Sequence, residues 1–183
     1  MMNIETGKIL ISDPFLKDPN FIRTVIFITE YDVNGAVGFV LNKLFPRKLN
    51  DLVEFQNAPA FPLYYGGPVQ TDTLHFLHQR PDLIDGGVHI IDNIYWGGNF
   101  KQVLKNIATK SINYNDIRMY IGYSGCQEKQ LDEEINESSW IVHNANSKTV
   151  FFNNTTTLWQ EVLKEMGGKY KLMINYPNDP QFN

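Results

Sequence analysis

The order in which strand-like and helix-like stretches follow one another constrains this chain more than any single residue. The first half reads as strands: Lys8–Ser12, Thr24–Thr29 and Ala36–Asn42 are short stretches rich in Ile, Val and Phe. Asp32-Val-Asn-Gly35 separates the second from the third as a hairpin turn, with Asn34-Gly35 able to take positive φ. Leu49–Phe55 reads as a short helix, and Leu63–Tyr65 and Thr73–His78 return to strand character. The second half mixes types. Asn99 can cap a helix to about Thr109, with Phe100, Val103, Leu104 and Ile107 at i, i+3, i+4, i+7. Ile117–Tyr123 is a strand, Gln127–Glu137 a helix, and Trp140–His143 with Thr149–Phe152 a strand pair. Thr157, with Gln160 at capping-box spacing, opens a last helix that Gly167-Gly168 stops. Strands grouped early, with helices interspersed later, favour α+β over a strictly alternating parallel sheet. No internal repeat or linker divides the chain, so residues 1–183 are expected to form one domain.

Composition narrows the function classes. Hydrophobic residues at 43% and charged ones at 20% exclude an intrinsically disordered chain. Sixteen Lys+Arg against twenty Asp+Glu give a net charge of −4, a poor start for binding phosphate backbones, so direct nucleic-acid recognition is disfavoured. One cysteine excludes an internally disulfide-stapled scaffold. The apolar runs, such as Ile9–Ile11 and Phe39–Leu41, are far short of the roughly 20 residues a spanning helix needs, and no basic region precedes a long apolar one. A cytoplasmic location, without membrane contact, is the expectation.

Two features invite a functional reading. Glycine pairs stand at Gly66-Gly67, Gly86-Gly87 and Gly97-Gly98, as ends of short strands or as points of close ligand approach. Gly122-Tyr-Ser-Gly-Cys126 is expected as a turn between a strand and a helix. Such a turn resembles the hydrolase elbow that displays a nucleophilic serine, here Ser124, although Cys126 stands where that pattern wants glycine. The same turn could form a backbone anion nest, with Arg23 and Arg118 as candidate partners. Cys126 is expected to fill space rather than react. His75 and His78 point to opposite faces of a strand, the Asp132-Glu133-Glu134 run reads as a solvated helix face, and neither a metal nor a cofactor is expected.

Several motifs stand in a distinctive order. Gly7-Lys-Ile-Leu-Ile-Ser-Asp-Pro14 is followed by Asp18-Pro-Asn-Phe-Ile-Arg-Thr-Val25 and Gly35-Ala-Val-Gly-Phe-Val-Leu-Asn42. Then come Tyr65-Gly-Gly-Pro-Val69, Gly122-Tyr-Ser-Gly125, Gln130-Leu-Asp-Glu-Glu-Ile135 and Trp140. In this order they resemble the YqgE/AlgH family of bacterial proteins, over nearly the whole chain. The resemblance implies a single compact α+β domain with a mixed, strongly curved, partly barrel-like sheet and flanking helices. It implies no particular reaction, and the label of transcriptional regulator that members carry by association identifies no DNA-binding element. It also implies a tryptophan after Gly-Tyr-Ser-Gly, where this chain has Cys126; losing an indole there should leave a gap or a more open groove.

These readings converge on a non-enzymatic binding or regulatory protein, acting on transcription at most indirectly. Its expected site joins Arg23, Thr24, Tyr65, Gly66 and Gly67 to Gly122, Tyr123, Ser124, Gly125 and Cys126, and its expected partner is a protein or a small anionic ligand. The alternatives are an enzyme using Ser124 or Cys126 on a small anionic substrate, and a direct DNA-binding regulator, which the charge disfavours.

Overall fold

A computed structural model describes residues 4–127, 131, 133–135 and 137–177. Ten strands form one curled sheet: β1 Lys8–Ser12, β2 Val25–Asp32, β3 Gly35–Val40, β4 Leu44–Lys48, β5 Pro62–Tyr65, β6 Val69–His78, β7 Val88–Ile91, β8 Ile94–Trp96, β9 Ile117–Cys126 and β10 Trp140–Asn144. The main path runs β10-β1-β2-β3-β9-β6-β8-β7. All its ladders are antiparallel, while β5 joins β9 in parallel and carries β4. The hairpin at Asp32–Gly35 is closed by Asn34, whose backbone N–H donates to Asp32 Oδ1 at 2.7 Å. Beyond the tip, Val25–Thr29 is buried on both faces of the sheet.

The longest connection between the halves is β9. Its first part, Met119–Ile121, lies between β5 and β6; its last, Ser124–Cys126, pairs with β3. One strand serving two partner sets curls the sheet into a half-barrel. The concave face holds Phe27, Phe39, Tyr64, Tyr120 and Leu77, and helix α3 (Leu158–Met166) closes it with Trp159. Trp159 is 1% exposed and its Nε1–H donates to the Ser12 carbonyl at 3.0 Å. Burying an indole this fully stabilises by up to about 4–6 kcal/mol. On the outer side, α1 (Phe100–Ala108), capped by Asn99, covers Leu63, Phe76 and Met119 with Val103 and Ile107. A second outer patch, Leu10, Ile26, Ile28 and Val40, packs against Leu131 and Trp140.

The structure differs from the sequence expectations in several places. The Gly122–Cys126 segment is no turn: β9 runs through it to Cys126. Glycines suggest a turn, but these are flanked by strands that supply hydrogen-bond partners on both sides. Residues 149–152 do not form a strand. Ser147–Val150 is a short helix α2, because the Asn146 side chain accepts from the Thr149 N–H at 2.9 Å. The capping box at Thr157 is not formed; its hydroxyl donates to the Asn154 carbonyl. Leu49–Phe55 is two 3₁₀ turns, Leu49–Asp51 and Val53–Phe55. Strand β4 carries Pro46 and was not legible as a strand; proline is tolerated at this edge of the sheet. Of the helix expected over 127–137, residues 131 and 133–135 are helical, while 128–130, 132 and 136, with part of the Gln130–Ile135 motif and Asp132, lie outside the described residues. The last helix, α4, spans Gly168–Met173. Among the described residues no helix is long and apolar enough to cross a membrane.

Candidate functional site

Two of the three expected segments meet, and they meet backbone to backbone. Gly66 N–H donates to the Ile121 carbonyl, and the Gly66 carbonyl accepts from Val40 N–H, both at 2.9 Å. The Ser124 hydroxyl donates to the same Gly66 carbonyl at 3.0 Å. A Cβ on Gly67 would stand 2.3 Å from the Tyr123 carbonyl carbon. Tyr65 is tied to this junction by its N–H, which donates to the Lys43 carbonyl at 2.8 Å. The Tyr123 ring lies on the concave side, edge-on to His75 at 5.8 Å.

This geometry bears on the chemistry expected of the segment. Ser124 is 7% exposed, and its proton is directed at a carbonyl rather than at a base. A nucleophilic serine needs a base to take that proton. The backbone from Ser124 to Cys126 pairs with β3. Arg118, the second residue of β9, is turned away from Cys126 and donates to the Phe151 carbonyl.

The third segment, Arg23-Thr24, lies at the other end of the β2–β3 pair. Ile26 is opposite Val40, whereas Ser124 is level with Gly38. The Arg23 guanidinium stacks on Trp159 at 5.0 Å and donates to the Tyr176 carbonyl. Thr24 is fully buried, its N–H donating to Ser12 Oγ at 2.9 Å and its hydroxyl to the Phe21 carbonyl at 3.0 Å. His75 and His78 face opposite sides of β6, and among the described residues no group of three or more His, Cys, Asp and Glu could hold a metal ion.

The end of β9 opens onto a cavity of about 280 Å³ on the outer face of the sheet. Its floor is apolar: Leu10, Ile26, Ile28 and Ala36. Ser124, Gly125 and Cys126 line it; Arg23, Thr24, Tyr65, Gly66 and Gly67 do not. Phe21, Leu131 and Trp140 form aromatic and aliphatic walls, with Phe21 edge-on to Trp140 at 5.6 Å. The Trp140 Nε1–H donates to Glu134 Oε2 at 2.9 Å, which fixes the indole against the floor. Among the described residues, Asp18 and Glu134 are the charged ones on its wall. The opening stands where the resemblance implies an indole in place of Cys126. Asp18, Phe21, Glu134 and Trp140 were not read as site residues. They come from three separate stretches, and Glu134 looked like part of a solvated acidic face. Their places in the Asp18–Val25 and Gln130–Ile135 motifs and at Trp140 were the signal that could have pointed to them.

The comparisons place the chain. The AlgH-like family model matches residues 9–171. A UPF0301 protein of Cytophaga hutchinsonii is 42% identical over 178 residues, covering 97% of this chain and 98% of that one. A UPF0301 protein of Bacteroides thetaiotaomicron is 36% identical over 178 residues, covering 97% and 90%. Among solved structures, a protein from Corynebacterium diphtheriae superimposes with a TM-score of 0.80 at 18% identity, covering 96% of this chain and 95% of that one. The AlgH protein from Pseudomonas aeruginosa does so at 0.70 and 22% identity, covering 96% and 98%. These two likenesses carry the fold: a curled, mostly antiparallel half-barrel with a few helices. With a family model spanning most of its length and relatives similar throughout, the chain belongs to the AlgH-like family.

Proposed function

We propose that this protein is a binding protein whose ligand, or the apolar side chain of a protein partner, enters the cavity at Cys126. The observation that carries this reading is the cavity itself. It is a hollow with an apolar floor and a few polar groups on its walls, an arrangement that small-molecule sites share. Ser124, one of the two candidate nucleophiles, is engaged in the fold, its hydroxyl donating to the Gly66 carbonyl. The apolar floor favours a neutral ligand over the small anion expected from sequence. Any influence on transcription would run through that ligand or partner, since twenty acidic against sixteen basic residues oppose contact with DNA.

A neutral, environment-sensitive apolar dye such as N-phenyl-1-naphthylamine tests this. Saturable fluorescence enhancement with the native protein, lost in Cys126→Trp, supports the reading. Absence of saturable binding, or binding indifferent to Cys126→Trp, overturns it.

A further inference from the structure

Arg118 is a buried cation. It faces the concave side of the sheet, opposite Leu77, and is 3% exposed. Its Nη2 donates to the carbonyls of Phe151 and Phe152 at 3.0 and 3.3 Å. Asn153 Oδ1 lies at 3.5 Å, a long contact. The guanidinium stacks over Tyr64 at 5.5 Å, and its Nε has no hydrogen-bond partner. None of these groups is negatively charged. Among the described residues no carboxylate lies within salt-bridge distance of it. Buried charges are ordinarily neutralised, and in a low-dielectric interior an uncompensated one projects its field further than a solvated one.

Phe151, Phe152 and Asn153, which receive the guanidinium, also wall an open hollow of about 540 Å³ at the start of β9. Lys148, exposed, is the charged residue on that wall, and it is a cation. Among the described residues, the rest of the polar lining consists of side-chain amides and one hydroxyl, with no carboxylate. The two cations and the amide donors share one chemical preference.

We propose that this hollow binds an oxyanion, a phosphate or carboxylate group, held by Lys148 and the side-chain amides of Asn153 and Asn154 above the uncompensated charge of Arg118. It is distinct from the cavity at Cys126, which lies at the far end of β9, on the outer face, and carries carboxylates. The sequence expectation of an anionic ligand finds a place here rather than at Gly122–Cys126. The competing role for Arg118 is purely structural: a clamp tying residues 151–153 to β9, with its charge unused.

An amide-resolved NMR titration with inorganic phosphate at constant ionic strength tests the proposal, with acetate in parallel to separate phosphate from carboxylate preference. Saturable shifts at Lys148, Asn153 and Asn154 are expected. Lys148→Glu, at an exposed position, should weaken binding about tenfold or more. Asn153→Asp sets a carboxylate beside the guanidinium; it should abolish the saturable shifts and raise the melting temperature, because it supplies the missing counter-ion. The native protein giving no saturable shift, or either variant binding with native affinity while folded, overturns the oxyanion site and leaves the clamp.

Discussion

Gly66 and Gly122 cross with no room for a side chain on either. A Cβ on Gly66 would stand 2.3 Å from the Gly122 carbonyl oxygen, and one on Gly122 would stand 2.6 Å from the Gly67 carbonyl oxygen. Gly122 also has φ +65°. The obstructing atoms are backbone, so they cannot rotate away. Gly66→Ala and Gly122→Ala should each destabilise the fold by about 3 kcal/mol or more, a drop of about 6–12 °C in Tm for a domain of this size. Gly125 differs: its φ is ordinary, and a Cβ there would meet only the Tyr123 ring at 3.1 Å. Gly125→Ala should cost about 1 kcal/mol or less, since the ring can yield. Thermal melts of the three variants side by side check the contrast.

Cys126 packs against the Leu10, Ile26 and Trp140 cluster and also borders the 280 Å³ cavity. A larger side chain therefore has space to enter. Cys126→Trp should leave the melting temperature unchanged or raise it; a loss of about 1–3 kcal/mol would mean the space closes in solution. Calorimetry of the variant decides.

His78 is fully buried and serves as both acceptor and donor. The Arg80 N–H donates to its Nδ1 at 3.1 Å, so Nε2 carries the proton and faces the Gly97 carbonyl at 3.1 Å. Protonating Nδ1 would break the first bond. Burial lowers its pKa below the ordinary histidine value of 6.5, against smaller opposing effects of Gly97 and Asp82. Burial acts in the same direction on His75. With the folded pKa below the unfolded one, the unfolded chain binds the extra proton first. Stability is therefore full above about pH 6.5 and declines as the pH falls below it. Urea melts across this range should show the decline, and His78→Gln should flatten it, leaving the part due to His75. An unchanged slope in His78→Gln would remove His78 as a cause.

Trp159 joins helix α3 to β1 through one buried hydrogen bond to the Ser12 carbonyl. Trp159→Phe keeps most of the apolar contact but leaves that carbonyl without its donor. A loss of about 1–3 kcal/mol is expected, together with a void where the indole's second ring stood. Chemical denaturation measures it.

Much of the fold was legible because local chemistry and tertiary context agree. The Asp32–Gly35 hairpin needs only its turn residues, and helix α1 needs only Asn99 and its apolar spacing. Where glycine or β-branched residues suggested one conformation and neighbours imposed another, the sequence misled. Gly122 and Gly125 look like turn residues, yet β3, β5 and β6 all pair along β9. Thr149 and Val150 look like strand residues, yet Asn146 caps them into a helix. The cavity was the least legible part. Its floor, Leu10, Ile26 and Ile28, is indistinguishable from core in an alternating strand pattern, and only the curl of the sheet brings Phe21, Glu134 and Trp140 over it.

The most direct test of binding at this cavity uses the three indoles as reporters. Trp140 lines it, whereas Trp159 is bonded to Ser12 on the opposite face of the sheet and Trp96 packs on that same concave side. In a titration with the neutral naphthylamine dye followed by indole N–H resonances, the Trp140 signal should move saturably while those of Trp159 and Trp96 stay in place. A stationary Trp140 signal, or a dye-induced shift confined to Trp159 or Trp96, would contradict binding at Cys126.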